Sequence, residues 1–371
     1  MSYLDFYGLQ IEPFSNAPNE RFYYNSAQHA RALTRIMYVA ETMKGLAVVV
    51  GDIGTGKTTL ARKVLDGLPS EAYESALLVI LHSEISQEWL LRRIAQQLGI
   101  ENPATEKLQI IGQLYRKLIH LHEMGKKAVV LIDEAQMLNT RELMEEFRGL
   151  LNLEVTAHKL ITFVFFGLPE IEDVMALDPP LLQRVAMKIR LSTLTEEATK
   201  AYVVHRMAIA GTRDPVFTDT ALRRIYRYSD GFPRKINVLC DNALFQGFLM
   251  RQRIIDDSIV QEMASDLGFD ARLDAQSGIP AMDVPADWSP AGVRPDDVIP
   301  EELIQAGDSA GQGDASEVAE YSFDVPPLPD MTGFQGDGAP LPDPEPQSAA
   351  NPDDDLDVKL EEFFEDTFKE S

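Results

Sequence analysis

One cysteine, Cys240, stands in 371 residues, so no intramolecular disulfide framework can brace this chain. A lone thiol suits a reducing compartment, and its place in an apolar helical pattern reads as core rather than nucleophile. No apolar run nears the ~18 residues that span a bilayer, which argues against membrane insertion. The opening "MSYLDFYGLQ" lacks a basic stretch followed by an apolar one, so no secretory signal is legible and a cytoplasmic location is expected. Base is also short: 34 Lys+Arg face 59 Asp+Glu, a net charge of −25.

That shortage is local. Residues 271–371 hold 25 acidic against 4 basic residues, and 13 of the 22 prolines. Few apolar side chains, many prolines and one sign of charge cannot repay the entropy of ordering. Residues 271–352 are therefore expected to be a disordered acidic, Pro-rich linker. The residues before 271 carry a balance of only −4.

What remains is patterned as α/β. Apolar runs at 46–50, 76–83, 128–132, 159–167 and 185–191 alternate with amphipathic stretches, among them 26–43 and 105–124. Ser26 and Ser86 stand where helix caps belong. Strands buried on both faces and separated by helices imply a parallel five-stranded sheet between helical layers. After Thr193 only helical periods follow, at 195–210, 218–229, 233–251 and 257–267. We expect a core over 1–192 and an all-helical domain over 193–270.

The run "VVVGDIGTGKTTL" carries the chemistry. Gly51, Asp52, Ile53, Gly54, Thr55, Gly56, Lys57 and Thr58 match G-x-x-x-x-G-K-[ST], and Thr59 follows, with a strand before and a helix after. Glycines let backbone N–H groups turn inward around phosphates, and the helix N-terminus adds partial positive charge. Lys57 is expected on the β- and γ-phosphates of ATP, and Thr58 on Mg²⁺. "AVVLIDE" supplies the other half: Asp133 to hold the metal's shell, Glu134 to polarise the attacking water.

These blocks, with "YGLQIEPFSNAPNERFYYNSAQH", "LLNLE", "FGLPE", "QRV" and "GFPRKINVLCDNAL", resemble the AAA+ ATPases of the general secretion pathway protein A type, related to pilus-biogenesis ATPases. The resemblance spans about residues 1–268. It implies a P-loop AAA+ core followed by a helical lid. It also implies Pro13, Phe14 and Pro18 beside adenine, Arg234 of "GFPR" on the γ-phosphate, and Arg184 of "QRV" facing a neighbouring subunit's nucleotide. One departure is Leu168 in "FGLPE", where the family commonly carries a polar residue. An apolar side chain cannot orient water, so slow turnover is expected. A second departure is the acidic tail, which stands where secretion proteins of this type continue into a transmembrane helix and a peptidoglycan-binding domain.

Two functions follow as expectations. One is an oligomeric ATPase that energises or positions a secretion or pilus-type machine. The other is an ATP-dependent DNA-binding switch, because residues 200–255 hold 10 Lys+Arg, Arg206, Arg223 and Arg224 among them, against 4 Asp. Finally, Leu356, Leu360, Phe363, Phe364 and Phe368 fall on one helical face within 353–371, which reads as a docking helix for a protein partner.

Overall fold

Helix α1 (Tyr3–Tyr7) starts where Ser2 and Asp5 cap each other reciprocally. Helix α2 (Ala27–Glu41) starts at the Ser26 cap and buries His29, Ala32, Ile36, Val39 and Ala40 along one stripe. Strand β1 (Leu46–Gly51) runs buried into the Gly-rich loop, and α3 (Lys57–Asp66) leaves it. Then come β2 (Tyr73–Val79), α4 (Gln87–Gln97), α5 (Lys107–Glu123) and β3 (Lys127–Asp133). The computed structural model describes residues 2–17, 19–155 and 158–269. Pro18, the expected linker 271–352 and the expected helix 353–371 lie outside the described residues.

Strand β2 sits earlier than its apolar run. Pairing with β3 begins at Tyr73 opposite Lys127, before the run starts, and beyond it Leu81 is 82% exposed. After β3 come α6 (Arg141–Leu150) and the two-residue strands β4 (Glu154–Val155) and β5 (His158–Lys159). Strand β6 (Ile161–Gly167), short helices α7 (Ile171–Met175) and α8 (Pro179–Leu182), and β7 (Val185–Leu191) complete this part.

Five strands form one parallel sheet in the order β2-β3-β6-β1-β7. Burial follows position in that order. The inner strands β3, β6 and β1 are buried at nearly every residue, whereas the edges β2 and β7 alternate. Unbroken apolar runs thus mark strands covered on both faces. On one face, Val164 and Phe166 of β6 meet α2 and α3 through residues such as Ile36, Val39, Leu60 and Val64. On the other, Phe163 and Phe165 pack edge-on against Phe147 of α6, with ring centroids 5.1 and 4.8 Å away.

Helices α9 (Glu196–Ala210), α10 (Asp219–Ser229), α11 (Pro233–Leu249) and α12 (Asp257–Asp266) close the described chain. Their core gathers Val203, Met207, Ile225, Leu239 and Ile259, with Cys240 at 0% exposure. Tyr7, Leu9, Phe14 and Phe22 belong to the same cluster. The first two dozen residues, expected with the sheet, therefore pack with the lid helices. At the α10–α11 turn Gly231 has φ +71°, and a Cβ there would sit 2.0 Å from Leu194 O. Only glycine allows the lid turn to abut the segment leaving the sheet.

Candidate active site

The carboxyl edge of the sheet sets the site. Val50 pairs with Gly167 and Asp133 with Phe166, so β1, β6 and β3 end at one level. The Gly-rich loop leaves β1 there, Glu134 follows β3, and Leu168 follows β6. Open α/β sheets bind ligands in the crevice outside such strand ends. Here it is a cleft of about 330 Å³ lined by residues 53–59, Glu134, Leu168, and Tyr202, Arg206, Pro233, Arg234 and Asn237 of the lid.

Lys57 is buried, and its Nζ donates to Gly51 O at 2.8 Å and to Asp52 O at 3.1 Å. Burial pulls its pKa down, while the Glu134 and Asp133 carboxylates oppose that pull. Gly54 has φ +83°, and a Cβ on it would lie 2.9 Å from Arg234 Cβ, so the loop touches the lid at a residue with no side chain. Arg234, in the first turn of α11, lines the cleft, and its backbone N–H donates to Gly54 O at 3.4 Å.

Thr58 Oγ1 donates to Asp133 Oδ2 at 2.6 Å, and Glu134 N–H donates to Asp133 Oδ1 at 3.0 Å. Asp133 is 1% exposed, and burial pushes its carboxyl pKa up against those two hydrogen bonds. A hydroxyl beside a buried carboxylate is a hard oxygen pair that fits Mg²⁺. Among the described residues no cluster of three or more His, Cys, Asp or Glu could hold a metal alone.

Glu134 adopts the left-handed conformation, φ 57° and ψ 36°. A non-glycine residue there costs roughly 1–3 kcal/mol, and such strain clusters at functional sites. Its Oε2 accepts from Gln136 Nε2 at 2.7 Å, and Gln136 Oε1 accepts from Leu168 N–H at 3.1 Å. Arg184 lies elsewhere. Val185 starts β7 near Leu46, while Leu191 pairs with Gly51, so Arg184 stands about 20 Å from the loop along the strand. It is half-buried, and its guanidinium donates to Asn152 Oδ1.

Two expectations are corrected. Pro13 and Phe14 do not line the cleft: Phe14, 2% exposed, packs edge-on to Phe217 at 6.2 Å within the lid core. Residues following them, including Asn16, Asn19, Tyr23 and Tyr24, reach the cleft instead. Arg206 is not on a basic surface. It is 5% exposed, donates to Tyr202 Oη, Asn237 Oδ1 and Ser15 O, and lies 4.7 Å from the Phe22 ring centroid.

Sequence reading also missed His29. Its Nε2–H donates to Thr55 O at 3.2 Å beneath the loop, and its Nδ1 meets Ser26 Oγ at 2.8 Å, which sets the tautomer. A signal was present: His29 falls on the apolar stripe of α2, where a polar residue needs a reason. Gln136, two residues past the strand end, carried no such signal.

Fold and site together define the class of the architecture: a P-loop α/β core of AAA+ fold with its phosphate loop at the strand ends and a helical lid beyond. A family model described as "AAA domain" matches residues 40–175. Within that class the chain is similar to general secretion pathway protein A of Aeromonas hydrophila, 36% identical over 251 residues. That match takes in 66% of this chain and 45% of the relative, so the chain spans less than half of the relative's length. Among solved structures, the Aeropyrum pernix ORC2 protein shares the fold with a TM-score of 0.51 at 18% identity, over 67% of this chain and 72% of that one. Drosophila ORC bound to DNA gives 0.52 at 16% identity, over 72% and 71%.

Proposed function

We propose that this protein binds ATP with Mg²⁺ in the cleft and hydrolyses it between the β- and γ-phosphates. The observation that carries this reading is the 2.6 Å contact of Thr58 Oγ1 with Asp133 Oδ2, beside buried Lys57 and strained Glu134. Residues 51–59 cradle the phosphates, Thr58 and Asp133 hold the metal, and Arg234 reads the γ-phosphate from the lid. When bound, the metal would neutralise charge on the transferring phosphoryl group. Glu134 takes the hydrogen bond of the attacking water and orients it. The test is a pair of variants. Lys57→Ala is expected to abolish binding of a fluorescent ATP analogue, and Glu134→Gln to keep that binding while turnover stops. Parent-rate hydrolysis by Glu134→Gln overturns the water-orienting role.

Similarity to general secretion pathway protein A supports a role in powering or positioning a secretion or pilus-type assembly, as an oligomer of this chain. Residues 193–270 act as the lid, and the amphipathic pattern at 353–371 as the docking segment for a protein of that machine. Among the described residues no helix is long and apolar enough to cross a membrane. The DNA-switch reading rested on basic residues of the lid; the fold shared with an ORC protein bound to DNA lends it some support, while three of those residues are otherwise engaged. Arg206 is internal, Arg223 pairs with Asp219, and Arg224 pairs with Asp257.

A further inference from the structure

The geometry points to Gln136 as the positioning residue of Glu134, linking that carboxylate to the end of β6 where Leu168 offers no polar side chain. This inference rests on the reading of Glu134 as the group that orients water.

The argument starts from the amide's two ends. Nε2 donates to Glu134 Oε2 at 2.7 Å, and Oε1 accepts from Leu168 N–H at 3.1 Å. Only the backbone N–H can donate at Leu168, so the carbonyl end of the amide must face it and the NH₂ end must face Glu134. The orientation follows from donor and acceptor chemistry alone. Gln136 is only partly exposed and does not line the cleft, whereas Glu134 and Leu168 do. It therefore braces the carboxylate from behind and touches no substrate.

The surroundings make room for that brace. A Cβ on Gly167 would lie 3.1 Å from Gln136 Oε1, closer than an ordinary contact, so glycine leaves the amide its place. Because Oε2 is engaged by Gln136, Oε1 is the oxygen left to accept from water. Glu134, held in a left-handed backbone, lines the cleft, and the hydrogen bond from the amide limits rotation of its carboxylate. A strand-end side chain that orients water directly is thus replaced by a relay from backbone N–H to amide to carboxylate.

Two substitutions separate the relay's halves. Gln136→Glu keeps an oxygen for Leu168 N–H but loses the donor to Glu134, and Gln136→Met loses both. Each is expected to lower kcat by about tenfold or more, the worth of a hydrogen bond to a charged group. KM for ATP and equilibrium binding of a fluorescent ATP analogue should stay at parent values. Parent kcat in Gln136→Met, with Glu134→Gln inactive, overturns the relay and leaves Glu134 in its role. Parent kcat in Glu134→Gln overturns the role itself, and the relay with it. A loss of nucleotide binding or of melting temperature that matches the loss of rate makes Gln136 a structural residue and also overturns the relay.

Discussion

Arg206 shows how a single residue changes meaning between sequence and fold. Its charge belonged to a run of ten basic residues, yet its guanidinium is enclosed by Phe14, Phe22 and Tyr202 and has no carboxylate partner among the described residues. Buried charge without an acid is rare and depends on hydrogen bonds, here to Tyr202, Asn237 and Ser15. Those bonds tie the N-terminal segment to the lid beside the cleft. Arg206→Met should therefore cost about 3 kcal/mol of stability, read as a lower urea midpoint at unchanged slope. Arg206→Lys should not restore it, because an ammonium cannot reproduce the planar fork. A midpoint equal to the parent's would show that the packed rings alone hold the segment.

At the scale of elements, α2 supports the phosphate loop from below. His29 stands on its buried stripe, and burial lowers the imidazole pKa from the usual 6.5, only partly offset by the hydrogen bond to Thr55 O. The folded state thus resists protonation that the unfolded chain accepts. Stability held in full above pH 6.5 is lost as pH falls through the depressed folded value. The melting temperature should drop on acidification from neutrality toward pH ~5, and His29→Gln should flatten part of that drop. Equal pH slopes in parent and variant would remove His29 as the titrating group. Elements differ in how far they could be read in advance. Ser26 and Ser86 capped their helices as expected because a side-chain cap acts within one turn. Strand β2 was displaced because pairing with β3, a partner distant in sequence, decides where a strand begins.

At the scale of the molecule, Arg184 stands at the start of an edge strand, at the opposite end of that strand from the loop, and so cannot serve its own cleft. If it serves a neighbour's, specific ATPase activity should rise with protein concentration, and Arg184→Ala should flatten the rise. An arginine supplied in trans is worth roughly 10³–10⁵ in rate where it acts. Activity per subunit that stays constant down to the monomeric range would exclude the role. The existence of five sheet strands, of the phosphate loop and of the acidic strand end was legible in advance, because each is written in contiguous residues whose period or spacing has one physical reading. Packing alone made Phe14 core and Arg206 internal, put His29 beneath Thr55, and let Gln136 join Glu134 to Leu168. Each of these is a contact between segments far apart in the chain or across a turn of unusual backbone. No local period encodes such a meeting; it exists only once the strands are ordered and the helices packed.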